Sequence, residues 1–79
     1  MAANQIAAGT AVTPNDSTDL PGGRAYGLYI GGAGNVAVVH SAGSTAVTYI
    51  GVPVGTILPV EVTRVMATNT TATNIVALR

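Results

Sequence analysis

Short runs rich in β-branched and aromatic residues, separated by glycine or proline, recur from residue 24 onward. That spacing constrains the fold more than any other feature of the chain. The runs are RAYGLYI (24–30), VAVVH (36–40), TAVTYI (45–50), a long run over 51–66, and IVAL (75–78). Five or six short strands so closely spaced indicate an all-β fold, a small antiparallel β-sandwich or barrel. The run GVPVGTILPVEVTRVM (51–66) is the longest and most regular, and the shorter strands need such a surface to pack on. Within it Leu58, Val60, Val62 and Met66 share one parity, and Glu61 and Thr63 the other, the pattern of one buried and one wet face. Pro59 cannot donate to a ladder, so it marks an edge, a bulge or a division of the run in two. Arg64 breaks the pattern by sharing the parity of Val60 and Val62.

The connections are equally legible. Gly31-Gly32-Ala33-Gly34-Asn35 supplies residues that tolerate positive φ and is expected to close a hairpin. Residues 41–44, around Gly43, form the next turn, and 51–55, around Gly55, form a loop. Upstream, Leu20-Pro21-Gly22-Gly23 fits a type II turn with Pro21 second and Gly22 third. Before it, PNDSTD (14–19) has loop composition. The first thirteen residues, MAANQIAAGTAVT, are small and weakly apolar. The expected division is therefore an N-terminal arm and loop over 1–23 and a β domain over 24–79. The arm residues Ala2, Asn4, Ile6, Thr10 and Val12 carry no charge and no group large enough for a core of their own. They are too apolar for an ordinary solvated linker. An added strand, or a groove on another protein, suits such a segment.

Composition narrows the function. The chain is 48% apolar and 8% charged, with no Cys, Phe, Trp or Lys. Much of the apolar content is Ala and Val, so each buried side chain is small. Disulfides and thiolate metal sites are excluded, and one His with three acidic residues makes a poor metal ligand set. So small a core without staples is marginal, and oligomerisation is the common remedy. Arg24, Arg64 and Arg79 balance Asp16, Asp19 and Glu61 to a net charge of zero. Three scattered arginines build no basic face for nucleic acid. No apolar run reaches the length of a membrane-spanning helix. The N-terminus lacks a basic region before its apolar residues, so no secretory signal is expected and synthesis is expected in the cytoplasm.

Catalytic patterns fail on inspection. Gly32-Ala33-Gly34-Asn35-Val36-Ala37 has the outline of a dinucleotide loop, but that chemistry needs a helix next, and VVHSAGSTAV is β-branched and interrupted by glycine. His40, Ser41 and an upstream Asp16 or Asp19 could be drawn as a triad. Adjacent residues on a strand point apart, however, and no nucleophile elbow is present. No enzyme activity and no cofactor are expected. Arg64 reads either as a charge beyond a register reset at Pro59 or as half of an ion pair with Asp19 or Glu61 of a neighbouring subunit. Tyr26 and Tyr29 have opposite parity, so at least one of them is expected outside the core of its own chain. Arg24, Tyr29 and Arg64 are the expected subunit-interface residues.

Four motifs in order, LPGGRA (20–25), GLYIGGAG (27–34), GVPVGTILPVEVTRV (51–65) and ATNTTAT (67–73), carry a resemblance. Over about residues 18–78 the chain resembles the spike-base proteins found on the heads of gene transfer agents and tailed bacteriophages. Arg24, Gly27, Gly31, Gly32 and Gly34 match the first two motifs, and Pro53, Gly55, Leu58, Pro59 and Arg64 match the third. The resemblance implies a small β protein on the capsid exterior of a virion. It would be a homo-oligomer, pentamer or trimer, that contacts the major capsid protein and anchors a head fibre protein. Two other readings are a decoration protein that cements capsomers without a spike and a carbohydrate-binding β module. The latter usually needs an aromatic platform that three tyrosines without Trp do not supply.

Overall fold

The computed structural model describes residues 8–41 and 43–79. It is all-β. Seven strands form two antiparallel sheets: Gly9–Ala11 (β1), Gly27–Gly32 (β2), Gly34–Val39 (β3), Val47–Val52 (β4), Thr56–Leu58 (β5), Arg64–Val65 (β6) and Thr73–Leu78 (β7). The four-stranded sheet has the order β1-β7-β2-β5 and the three-stranded sheet the order β4-β3-β6. Alternation along the strands sends Leu28, Ile30, Ile75 and Ala77 of the first sheet, and Val36, Val38 and Val65 of the second, into one core cluster. Leu20, Ala25, Val52, Val62 and Ala72 complete it from the connections and strand ends. The result is a small β-sandwich.

The long run over 51–66 does not form one strand. Its first part is β5, paired with β2 as Leu28↔Leu58, Tyr29↔Ile57 and Ile30↔Thr56. At Pro59 the chain leaves that sheet. Val62 makes an isolated bridge with Ala25, and β6 then joins the other sheet as Val38↔Val65 and Val39↔Arg64. The missing donor of Pro59 is thus the point of division. The crossing also shifts the parity: Val62 and Val65 are both buried, whereas Leu58, Val60 and Met66 are only half-buried. Arg64 consequently faces outward.

The glycine-rich stretch 31–35 is not the hairpin turn that its composition suggests. β2 and β3 lie in different sheets, and the chain passes between them at Ala33. Glycine is needed here for close approach. A Cβ on Gly34 would stand 2.5 Å from the Ala72 amide nitrogen, and one on Gly31 would stand 2.7 Å from the Asn74 carbonyl oxygen. The Pro21-Gly22 turn is closed by the Gly23 N–H donating to the Leu20 carbonyl at 3.4 Å, with Gly22 at φ 82°. Gly43 and Gly55 also take left-handed φ.

Residues 8–23 are stitched to the rest and do not lie apart from it. Ala8 and Arg79 exchange backbone hydrogen bonds, and the Val12 N–H donates to Ile75. The Asn15 N–H donates to Val65, the Leu20 N–H donates to Thr63, and Leu20 is buried. The body of the sandwich therefore begins well before residue 24. Tyr26 shares the parity of Leu28 and Ile30 but not their burial. It precedes β2 and is 56% exposed, while Leu28 and Ile30 are fully buried.

Candidate interaction surfaces

Each catalytic pattern considered in the sequence is occupied by structural work. The Glu61 carbonyl can only accept, so His40 Nδ1 donates to it, at 2.8 Å; in the neutral ring Nε2 then accepts from the Tyr49 hydroxyl at 2.9 Å. The two rings also meet edge-on, with centroids 6.0 Å apart. Ser41 and Ser44 close their own turn. No group of three or more His, Cys, Asp or Glu side chains that could hold a metal exists among the described residues. A cleft of about 220 Å³ is lined by Ala11, Thr13, Asn15, Asp19, Leu20 and Val65 among others. It contains no constellation for chemistry.

The charged side chains converge. All six lie in 16–24, 61–64 and at 79, and the fold brings these segments together. Arg24 pairs with Glu61 at 2.6 Å. Arg64 reaches Asp19 with Nη2 at 2.8 Å and Nε at 2.9 Å, and donates from Nη1 to the Asp16 carbonyl at 3.2 Å. Arg64 therefore makes an ion pair with Asp19 inside its own chain. Asp16 accepts from the Thr68 hydroxyl at 2.6 Å and the Thr68 N–H at 2.8 Å. Those two bonds hold its carboxyl below the ordinary value of 3.8. The Arg79 guanidinium binds the Thr10 hydroxyl and the Pro21 and Gly23 carbonyls. These contacts join residues about 37 to 69 apart in sequence, so no local pattern announces them.

The opposite end is neutral. Residues 41–60 contain no charged side chain. Val47, Ile50, Val54 and Ile57 are exposed there, Ile50 to 74%. On the outer face of the four-stranded sheet the register aligns Ala11, Val76, Tyr29 and Ile57 in one apolar row. Tyr29 thus stands in this row, whereas Arg24 and Arg64 belong to the charged seam. Of the expected arm residues, Thr10 lies in β1 and binds Arg79, and Val12 packs on the core. Ala2, Asn4 and Ile6 lie outside the described residues.

Neither protein-family models nor curated proteins give a match to the chain. Among solved structures, it is similar to a chain of the capsid of a native gene transfer agent (GTA) particle computed with C5 symmetry. The two are 36% identical; the match covers 95% of this chain and 84% of that one, with a TM-score of 0.83. The chain belongs to the family of that GTA capsid chain. As a member of this GTA capsid family it is a structural, capsid-associated protein of a virion-type particle. That role is consistent with a molecule whose polar groups tie the fold together and whose neutral surface is left open.

Proposed function

We propose that this protein sits on the outer surface of a phage-like capsid as a homo-oligomeric ring and forms the base of a head spike or fibre. The observation that carries the reading is the match, over nearly the whole chain, to a chain of a GTA capsid computed with C5 symmetry. The ordered motifs of residues 20–34 and 51–73 support it. So does the shape: a sandwich of 34 × 28 × 17 Å is small for a shell-forming subunit and suits a piece added to a shell. Its partners in this reading are further copies of itself, the major capsid protein beneath and a head fibre protein above. We assign the contact with the shell or an adjacent subunit to the segment before Ala8, which leads into the edge strand β1.

The similarity to a capsid chain also supports a cement protein without a spike. The two readings differ in the axis occupied. Cryo-electron microscopy of particles made with and without this chain tests them. The spike-base reading expects density for it at the five-fold vertices, continuous with a projecting fibre. Density spread over three-fold or quasi-three-fold positions would replace it with the cement reading. Particles indistinguishable with and without the chain would defeat both. Deleting residues 2–7 and adding the truncated protein to particles that lack it tests the assigned segment. Loss of binding by a body that keeps its β circular dichroism is expected, and normal decoration would move the contact to the body.

A further inference from the structure

Four strands stand at sheet edges: β1 and β5 in one sheet, β4 and β6 in the other. An edge strand offers unpaired N–H and C=O groups to any extended chain that reaches it, unless short length, proline or charge blunts it. Two of the four are blunted. β5 has three residues, preceded by Pro53 and followed at once by Pro59. β6 has two residues, one of them Arg64. The strands β1 (GTA) and β4 (VTYIGV) contain neither charge nor proline; β1 is as short as β5, but Ala8 and Val12 carry its ladder with β7 on to five residues.

The free groups on these two strands can be named. On β3 the Ala37 carbonyl accepts from the Met66 N–H and the Val39 carbonyl from the Thr63 N–H, so these residues point away from β4. Val36 and Val38 therefore bond β4, opposite Tyr49 and Val47. Thr48 and Ile50 are left with their backbone groups on the open side. Two β4 residues, Ile50 and Gly51, face the single Asn35 of β3; this bulge, with Gly51 at φ 68°, ends the regular stretch. On β1 the bonded pairs with β7 run through Ala8, Thr10 and Val12, which leaves Gly9 and Ala11 outward. Among the described residues no backbone group pairs with either open side.

The two open edges lie at opposite ends of the sandwich. β1 is furthest from β5 in its sheet, and the chain following β1 runs onto β6 through the Asn15–Val65 bond. β4 connects directly to β5 at the other end. We propose that the β4 edge of one copy is the docking site for the β1 edge of the next. Main-chain hydrogen bonds join Thr48 and Ile50 to Gly9 and Ala11 of the second copy, which covers the exposed Ile50 side chain. The inference rests on the ring reading above and names its seam. A second copy is the occupant for three reasons. Neither edge carries a charge that would select a charged partner. The fully buried side chains of the core are no larger than Leu and Ile, so burial against a like surface adds what the body lacks. And a cyclic ring needs two different, complementary surfaces on each copy, which these two edges are.

The test uses the isolated full chain in sedimentation velocity. Thr48→Pro and Ala11→Pro each remove one outward donor and leave the internal ladders their own donors. Wild-type protein is expected to assemble at micromolar concentration, and each variant to dissociate, with its dissociation constant raised about 100-fold or more. Mixing the two variants restores one good junction, because one retains its β1 edge and the other its β4 edge, so the mixture is expected to form dimers. A wild-type monomer at these concentrations, variants that assemble normally, or a mixture that stays monomeric would each overturn the proposal. If a proline variant does not fold, Ile50→Lys and Ala11→Lys pose the same comparison with the backbone intact. Dissociation by Tyr29→Lys alone would place the seam on the outer sheet face and overturn the edge assignment. None of these outcomes touches the location on the particle, which the microscopy decides separately.

Discussion

The two ends of this sandwich solve different problems. At the β1–β6 end, three arginines and three acidic residues are spent on contacts within the chain, and they tie the segment 10–24 to residues 61–68 and 79. At the β4–β5 end there is no charge over twenty residues, Val47, Ile50, Val54 and Ile57 are exposed, and the β4 edge is unprotected. Polar groups used inside the body hold an otherwise loose N-terminal segment in place, whereas a surface without them gains by being covered. Substitutions in the charged contacts of the first end should therefore change the stability of the single copy, and substitutions on the neutral surface of the second should change association alone.

The largest effect is expected at the corner between the two sheets. Gly34→Val forces a side chain against the Ala72 backbone and should cost about 3 kcal/mol, read as a fall in the urea midpoint or as insoluble protein. Full stability would mean that the 71–72 segment can move aside. Arg79→Met should follow, with a loss of about 1–2 kcal/mol, because three acceptors lose a charged donor. The low end of that range is favoured, since Arg79 Nε is buried without a partner among the described residues and its removal relieves a penalty. Arg64→Met removes a half-exposed pair and should cost about 0.5–1 kcal/mol in thermal melts while leaving assembly unchanged. Weakened assembly in that variant would blur the distinction between the ends.

A smaller effect should appear with pH. The Thr68 bonds depress the Asp16 pKa in the folded state, so their stabilisation is complete above the unfolded value near 3.8 and is lost as pH falls through the folded value. The melting temperature should fall in that acid range by less in Asp16→Asn than in the parent. Equal slopes would show that the Thr68 contact contributes nothing. Smallest of all, Ile57→Thr at the neutral end should leave the melting temperature of the dilute protein unchanged within error, since Ile57 is 58% exposed.

The sequence disclosed what is local. The Leu20–Gly23 turn, the runs that became β3, β4 and β7, and the break at Pro59 all follow from residue chemistry within a few positions. It hid what is remote. Gly31–Gly34 has the composition of a hairpin turn, yet a corner between sheets uses the same residues, and only the approach of Ala72 separates the two. Gly9–Ala11 is too short and too plain to read as a strand; its pairing depends on β7, more than sixty residues away. The parity of Arg64 misleads because the reset happens between Val62 and Val65, where the chain has changed sheets. The neutral surface was visible in outline as a run of uncharged residues, but which of its strand edges lay open required the topology.

The position of β7 has a consequence for synthesis. Of the seven strands β7 is the last to leave the ribosome, and it lies between β1 and β2. Until it arrives, β1 has no neighbour in its sheet and β2 has only β5. The nascent chain therefore cannot close its four-stranded sheet progressively. It must hold β1 unpaired and one side of β2 open, and then complete the sheet around β7, a route dominated by distant pairings and correspondingly slow. During that interval the β2 edge is open to strands of other nascent chains, so high expression or sparse chaperone capacity should divert the protein into aggregates. The same delay keeps an unfinished chain from joining a particle, because β1, which a finished copy would offer its neighbour, has no fixed place before β7 is in the sheet.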